Sequence, residues 1–265
     1  MIALVFLPLL QPLARLLERV APVAVGPADP KRPLYLEDSA VETPSIALGH
    51  ASREALRMVD VLDSMIEGVA DALRLGDREA AARARRQDDV LDALNSEIKR
   101  YLTRLDPESL TDDEHRRALA VLAFSLNLEG AGDVVERNLA SFVAKQLKRG
   151  VEPSPEDVQE IQEAFEAVRA NLRSAASVFT TGDRRAAQVL SQQKAEFRRR
   201  EGEAIKSHFA QLRRQRDATA PALDLLRDIK RLNDHLVAGA AYPVLEAAGE
   251  LMPSRIVDDG DGHPA

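Results

Sequence analysis

The sequence predicts an all-α protein made of two tandem antiparallel three-helix bundles, with a short apolar helix ahead of them. Three observations carry this. Ala, Leu, Arg and Glu dominate the 265 residues. No stretch alternates apolar and polar residues with period two over a useful length, so no sheet is expected. A Gly-Asp turn occurs twice, at Gly76-Asp77 and Gly182-Asp183, each time between two long helical stretches. Composition also narrows the chemistry. With no cysteine, disulfides, thiolate metal sites and cysteine nucleophiles are excluded, so a metal would need oxygen or imidazole ligands. A net charge of −7 and 4% aromatic content argue against nucleic acid as a partner.

The chain opens MIALVFLPLLQPLARLLERVAP, uncharged up to Arg15. A spanning helix needs about 20 apolar residues, and the basic start of a signal peptide is missing. Residues 1–20 therefore read as the end of a transmembrane helix, an amphipathic surface helix, or an ordinary first helix docked on the body. Arg15 and Arg19 would place the remainder of the chain on the cytoplasmic side. Residues 21–44 hold Pro22, Pro27, Pro30, Pro33 and Pro44. Proline fixes φ and disfavours helix in the residue before it, so this stretch reads as an extended linker.

Helices are then expected at about 45–75, 77–104, 112–149, 154–180, 183–215 and 221–249. The first three form a bundle over 45–150 and the last three a bundle over 151–249, and 250–265 read as a disordered tail. Gly76 and Gly182 suit left-handed helix ends, and the following Asp suits an N-cap. The segments after the two turns align, with Gly76, Asp77, Ala80 and Ala81 matching Gly182, Asp183, Ala186 and Ala187. Ile98-Lys99 then falls on Ile205-Lys206 if one residue is inserted in the second copy, which points to an internal duplication.

The third helix carries the chemistry. Glu129 and Asp133 are four apart and share a stripe with Leu119, Leu122 and Leu126. Two carboxylates on one partly buried face repel each other unless a cation or donor lies between them. A metal answers that need, and so would Lys or Arg from a neighbouring helix. Gly130 and Gly132 leave room for close approach. No His pair has metal-ligand spacing, although His235 beside Asp234 could ligate or orient; solvent-facing or capping roles are more common. No phosphate loop or nucleophile elbow occurs, so no catalytic residue is assigned and no enzyme is expected. Residues 182–217 carry 10 Lys/Arg against 5 Asp/Glu, which fits a solvated helix face or a surface that meets anionic headgroups.

The stretch NLEGAGDVVERNL resembles the Asn-Leu-Glu-x-x-Gly-Asp signature of PhoU proteins, phosphate-signalling regulators built of two three-helix bundles. Gln87 to Asp92 resembles the acidic second-helix element of that fold. The stretch RPLYLEDSAVETPSIALGHASREALRM is similar to the join between membrane domain and PhoU-like tail in bacterial sodium–phosphate cotransporters. The resemblance implies a PhoU-like fold and a divalent or iron-type metal in the first bundle at Glu129 and Asp133, supported by Asp89 or Asp92. It also implies a cytoplasmic regulatory portion of a sodium-dependent phosphate transporter at the inner membrane, with the N-terminal membrane domain outside this chain. That membrane domain, the membrane itself and a second copy are the implied partners. A free-standing PhoU-type metal-binding adaptor is the alternative. The second half departs from the pattern: Asp234 stands where Asp133 stands in the first, but Lys230 replaces Glu129. An ion pair between Lys230 and Asp234 is expected there in the metal's place.

Overall fold

The computed structural model describes residues 29–150, 155–212 and 221–250. The expected helix at 1–20 lies outside them, as does the tail apart from Glu250. Compactness divides the chain into residues Met1–Arg32 and Pro33–Ala265. Of the first unit, residues 29–32 form a turn in which the Arg32 N–H donates to the Asp29 carbonyl at 3.0 Å.

In the second unit six helices succeed one another: α1 (Pro44–Leu75), α2 (Arg78–Leu102), α3 (Asp112–Arg149), α4 (Pro155–Thr181), α5 (Arg184–Leu212) and α6 (221–247). No strand occurs among the described residues. The punctuation works as the residue types require. Gly76 and Gly182 adopt φ +69° and +64°, where a Cβ would be strained. The Asp77 carboxylate accepts the Glu79 N–H at 2.8 Å, and Asp183 accepts the Ala186 N–H at 2.7 Å. Thr111 and Glu114 cap α3 reciprocally.

α3 and α6 are not α-helical throughout. Each contains a π-helical stretch, Val134–Ala140 in α3 and Val237–Ala241 in α6. By length and composition α3 would pass as a membrane span. Its apolar residues Phe124, Leu128 and Leu139 instead lie buried in the bundle.

The duplication is visible in burial. Leu62, Ile66 and Val69 of α1 are buried, as are Val168, Leu172 and Ala175 at the same spacing in α4. Ala81 and Leu91 of α2 correspond in this way to Ala187 and Phe197 of α5, and Phe124, Leu128, Val135 and Ala140 of α3 to Leu225, Ile229, Leu236 and Ala241 of α6. The inserted residue expected in α5 is absent. Ile98 is fully buried but Ile205 is 39% exposed, and Ala204 takes the core position. Core packing, not letter identity, sets this register, so Asp88 corresponds to Lys194.

One hydrophobic core runs through both bundles. α1 meets α4 through a two-pronged contact, Arg169 Nε and Nη2 donating to Asp63 Oδ1 and Oδ2 at 2.8 and 2.7 Å. α3 crosses α6 about a local pseudo-two-fold. Asn138 in the first π-stretch donates to Asp228 of α6 at 3.1 Å. At the matching place Gly239 in the second π-stretch lies so close to α3 that an added Cβ would stand 2.8 Å from Asn127 Cβ.

The stretch 21–44, read as an extended linker, is fastened down over its second half. A 3-10 turn covers Asp38–Glu42. Glu54 of α1, wholly buried, accepts the backbone N–H groups of Leu34 and Tyr35 at 2.8 and 2.9 Å and pairs with Arg57. Tyr101 Oη donates to the Glu37 carbonyl at 2.9 Å, and Arg104 pairs with Asp38.

Candidate metal centre

α2 and α3 bring carboxylates together where they pack. Asp88 of α2 and Asp133 and Glu136 of α3 each offer an oxygen within 4.8 Å of the other two. Gly132 makes the approach possible, since an added Cβ would stand 2.5 Å from Leu91 Cδ1 and 2.8 Å from Asp88 Oδ1. The π-stretch begins immediately after Asp133. Its wider turn resets the phase of the residues beyond it, and such turns recur at functional sites.

The electrostatics are those of crowded acids compensated only from the solvent side, by exposed arginines. Asp88 is buried, and its Oδ1 has no hydrogen-bond partner. Burial, and then Asp92, Asp133 and Glu136, push its carboxyl up to about 7, against the pull of Arg137. Burial and Asp133 raise Asp92 and Glu129 as well. The nearest cations stand to one side: Arg137 Nη2 is 2.8 Å from Asp133 Oδ1 and Arg85 Nη2 is 3.4 Å from Glu136 Oε1, and both arginines are exposed. Exposed ion pairs of this kind hold weakly. An orphaned buried carboxylate oxygen among like charges fits a hard or borderline cation held by Asp88, Asp133 and Glu136.

The residues expected from the sequence fall into place unequally. Asp133 is in the cluster. Glu129 and Asp92 flank it and act on it through their charge. Asp89 is exposed and outside the three-acid group, which is taken by its neighbour Asp88. The helical period held that information: Ala81, Ala84, Asp88 and Leu91 are all buried on one face of α2. Glu136 was legible by the same period, since it stands seven residues after Glu129 and three after Asp133 on one stripe of α3, but the Glu-x-x-x-Asp motif stops short of it.

The second bundle holds a different arrangement. Lys230 pairs with Glu201 at 3.1 Å, not with Asp234 as expected, and Asp234 faces Lys194 at 3.7 Å. By register, Lys194 occupies the place of Asp88, Asp234 that of Asp133 and Val237 that of Glu136. One of three acids remains, and a lysine ammonium takes the cation's place. His235 is neither solvent-facing nor a cap. It packs half-buried over α3, where a Cβ on Gly130 would meet its ring at 2.8 Å, and its Nδ1 lies 3.3 Å from Asn127 Oδ1. Burial and Arg231 lower its pKa, while Asp234 and Asp133 oppose.

Comparison with known proteins bears on the family and the fold. Residues 55–140 match the PhoU domain model. The chain is 34% identical over 251 residues to the Escherichia coli K12 protein named "Putative inorganic phosphate export protein YjbB", covering 93% of this chain but only 46% of that protein. It thus spans about half the length of this relative. It is 25% identical over 226 residues to the Caulobacter vibrioides (strain NA1000 / CB15N) "Phosphate-specific transport system accessory protein PhoU homolog", covering 78% of this chain and 91% of that one. The crystal structure of PhoU from Pseudomonas aeruginosa superposes with a TM-score of 0.69 at 19% identity, over 76% of this chain and 97% of that one. Residues 55–140 thus match a PhoU domain, and the described helices form an all-helical PhoU-like fold.

Proposed function

We propose that this chain is the cytoplasmic regulatory portion of a sodium-dependent phosphate transporter of the inner membrane. In this reading it has no enzymatic role. It adjusts phosphate movement by docking against the transporter's membrane domain, with a second copy of the chain as a further partner. The observation that carries the reading is the alignment of 93% of the chain with less than half of a relative named for phosphate export. The fastened segment 33–43 supports it, because it gives a preceding membrane domain a stiff attachment to α1 and α2.

A divalent or iron-type cation in the first bundle is part of this proposal. Asp88, Asp133 and Glu136 would hold it, and it would supply the positive charge that lets three carboxylates stay close while ionised. The chain's own residues do the rest: Gly132 admits α2, Asp92 and Glu129 deepen the negative field, and Glu136 follows Asp133 on the same stripe of α3. α3 carries both two of the acids and Asn138, so the state of the cluster bears on the contact with α6 at Asp228.

A free-standing adaptor is the second reading, favoured by the 91% coverage of the Caulobacter relative. The test is phosphate flux in cells that express the full-length natural protein, with and without sodium. The transporter reading expects sodium-dependent flux whose rate changes in Asp88→Asn/Asp133→Asn, and native protein in the membrane fraction. Wholly soluble native protein with unaltered flux would transfer the chain to the adaptor reading.

A further inference from the structure

A second feature lies away from the acidic cluster, where the start of α3 meets the end of α4 and the last turns of α6. A cavity of about 700 Å³ opens there, within the size range of small-molecule sites. Most of its wall is apolar, with Leu119, Ala120 and Ala123 on one side and Val244 and Ala247 on the other. Leu119 is 54% exposed, an apolar side chain left facing water at the cavity's edge.

Three arginines border this space, and they differ in what holds them. Arg116 pairs with Asp113, and Arg184 pairs with Glu250. Arg117 is half-buried and pairs with no carboxylate among the described residues. Its Nη1 donates to the Phe179 carbonyl at 2.9 Å and its Nη2 to Ser52 Oγ at 3.0 Å, and the guanidinium lies 4.7 Å from the centre of the Phe179 ring. The Phe179 ring itself stacks on Phe124 at 4.1 Å. The guanidinium is therefore held in one orientation by neutral groups alone, and a guanidinium carries five N–H donors. Elsewhere this molecule gives its partly buried arginines an acid: Arg169 has Asp63, and Arg57 has Glu54. Burial lowers the Arg117 pKa and no carboxylate raises it. A desolvated, pre-oriented cation beside an apolar hollow leaves a charge to be met and a surface to be covered.

We propose that this cavity binds a single-chain anionic amphiphile, its carboxylate or phosphate head on the Arg117 guanidinium and its aliphatic body along Leu119, Ala120, Ala123, Val244 and Ala247. Neither half of the site explains the other alone. An inorganic anion would leave the apolar wall in water, and a neutral alkane would leave Arg117 uncompensated. The inference is independent of the metal centre and of the transporter reading, since it uses no residue of either.

The test is calorimetric titration of the full chain with decanoate, decyl phosphate, decanol and inorganic phosphate, the amphiphiles kept below their micelle concentrations. At least one charged amphiphile binds saturably, with decanol and inorganic phosphate weaker by about tenfold or more. Arg117→Gln lowers affinity for the charged amphiphile by about tenfold and leaves that for decanol unchanged. Ala120→Phe fills the hollow and abolishes binding while Arg117 stays in place, which keeps the test valid if Arg117→Gln fails to fold. Equal binding of decanol, equal binding of inorganic phosphate, or indifference to both variants overturns the proposal. Flotation with phosphatidylglycerol vesicles, lost in Arg117→Gln and without any decanoate binding, would assign the arginine to a bilayer surface and overturn it as well.

Discussion

Asp88 is the residue on which the candidate centre turns. It lies on the buried face of α2 with a carboxylate oxygen that nothing satisfies. A carboxyl raised from 3.8 to about 7 on folding binds its proton more tightly in the native state than in the unfolded one. Its contribution therefore destabilises the metal-free protein progressively as pH rises from about 4 to about 7, and the loss persists above that. Asp88→Asn is expected to unfold at a higher temperature than the parent at pH 7.5, with the difference closing near pH 4. In the parent a divalent cation raises the melting temperature at pH 7.5, and in the variant it does not. Thermal unfolding at the two pH values, with and without metal, checks both statements.

Glycines test the packing at the same scale. Helix interiors ordinarily gain about 1 kcal/mol from Gly→Ala. At Gly49 nothing lies within 4 Å of an added Cβ, so Gly49→Ala should stabilise by roughly that amount. At Gly132 the added Cβ meets Leu91 at 2.5 Å, and overpacking of this kind costs about 1–3 kcal/mol. Urea denaturation should give opposite signs for the two variants.

Among the elements, the segment 33–43 and the third helix of each bundle depart furthest from a plain helical bundle. Glu54 holds the segment by accepting two backbone N–H groups from inside the core. In Glu54→Ala those donors lose their partner, at a cost of about 1–3 kcal/mol. Hydrogen exchange is expected to quicken at Leu34 and Tyr35 before it does in α1 or α2, since local opening needs only the strap to release. Uniform exchange across the helices would mean that Glu54 supports the whole bundle. The paired π-stretches belong to this scale too. They end at corresponding residues, Ala140 and Ala241, so both halves carry the same backbone irregularity while only the first carries the three acids.

For the molecule as a whole, that asymmetry sets the expected stoichiometry. The first bundle offers three carboxylates, and the second offers Asp234 with Lys194 already against it. One metal per chain is expected. Lys194→Asp combined with Val237→Glu restores acids at both changed positions and should raise the count towards two, read by elemental analysis of the purified protein. A parent that already holds two would show that the second bundle recruits other ligands.

Much of this was legible in the amino-acid sequence. Helical period, capping residues and the two Gly-Asp turns located all six helices and the duplicated order, because these are local properties of backbone and side chain. Asp133 and its neighbours Glu129 and Asp92 were legible as acids on helix faces, and the motif around them carried the resemblance to PhoU. Which acids meet was not. Asp88 displaced Asp89 because packing of α2 on α3, through Gly132, chose the buried face. Glu136 joined because it shares the stripe of Glu129 and Asp133, and that stripe of α3 meets Asp88 of α2. Lys230 found Glu201, and Lys194 found Asp234, because the true register of α5 obeys its core and contains no inserted residue. The Arg117 cavity exists only where three helices end together. Local order arises from neighbours along the chain, but contacts between helices depend on which surfaces exclude water best, and only the assembled core settles that.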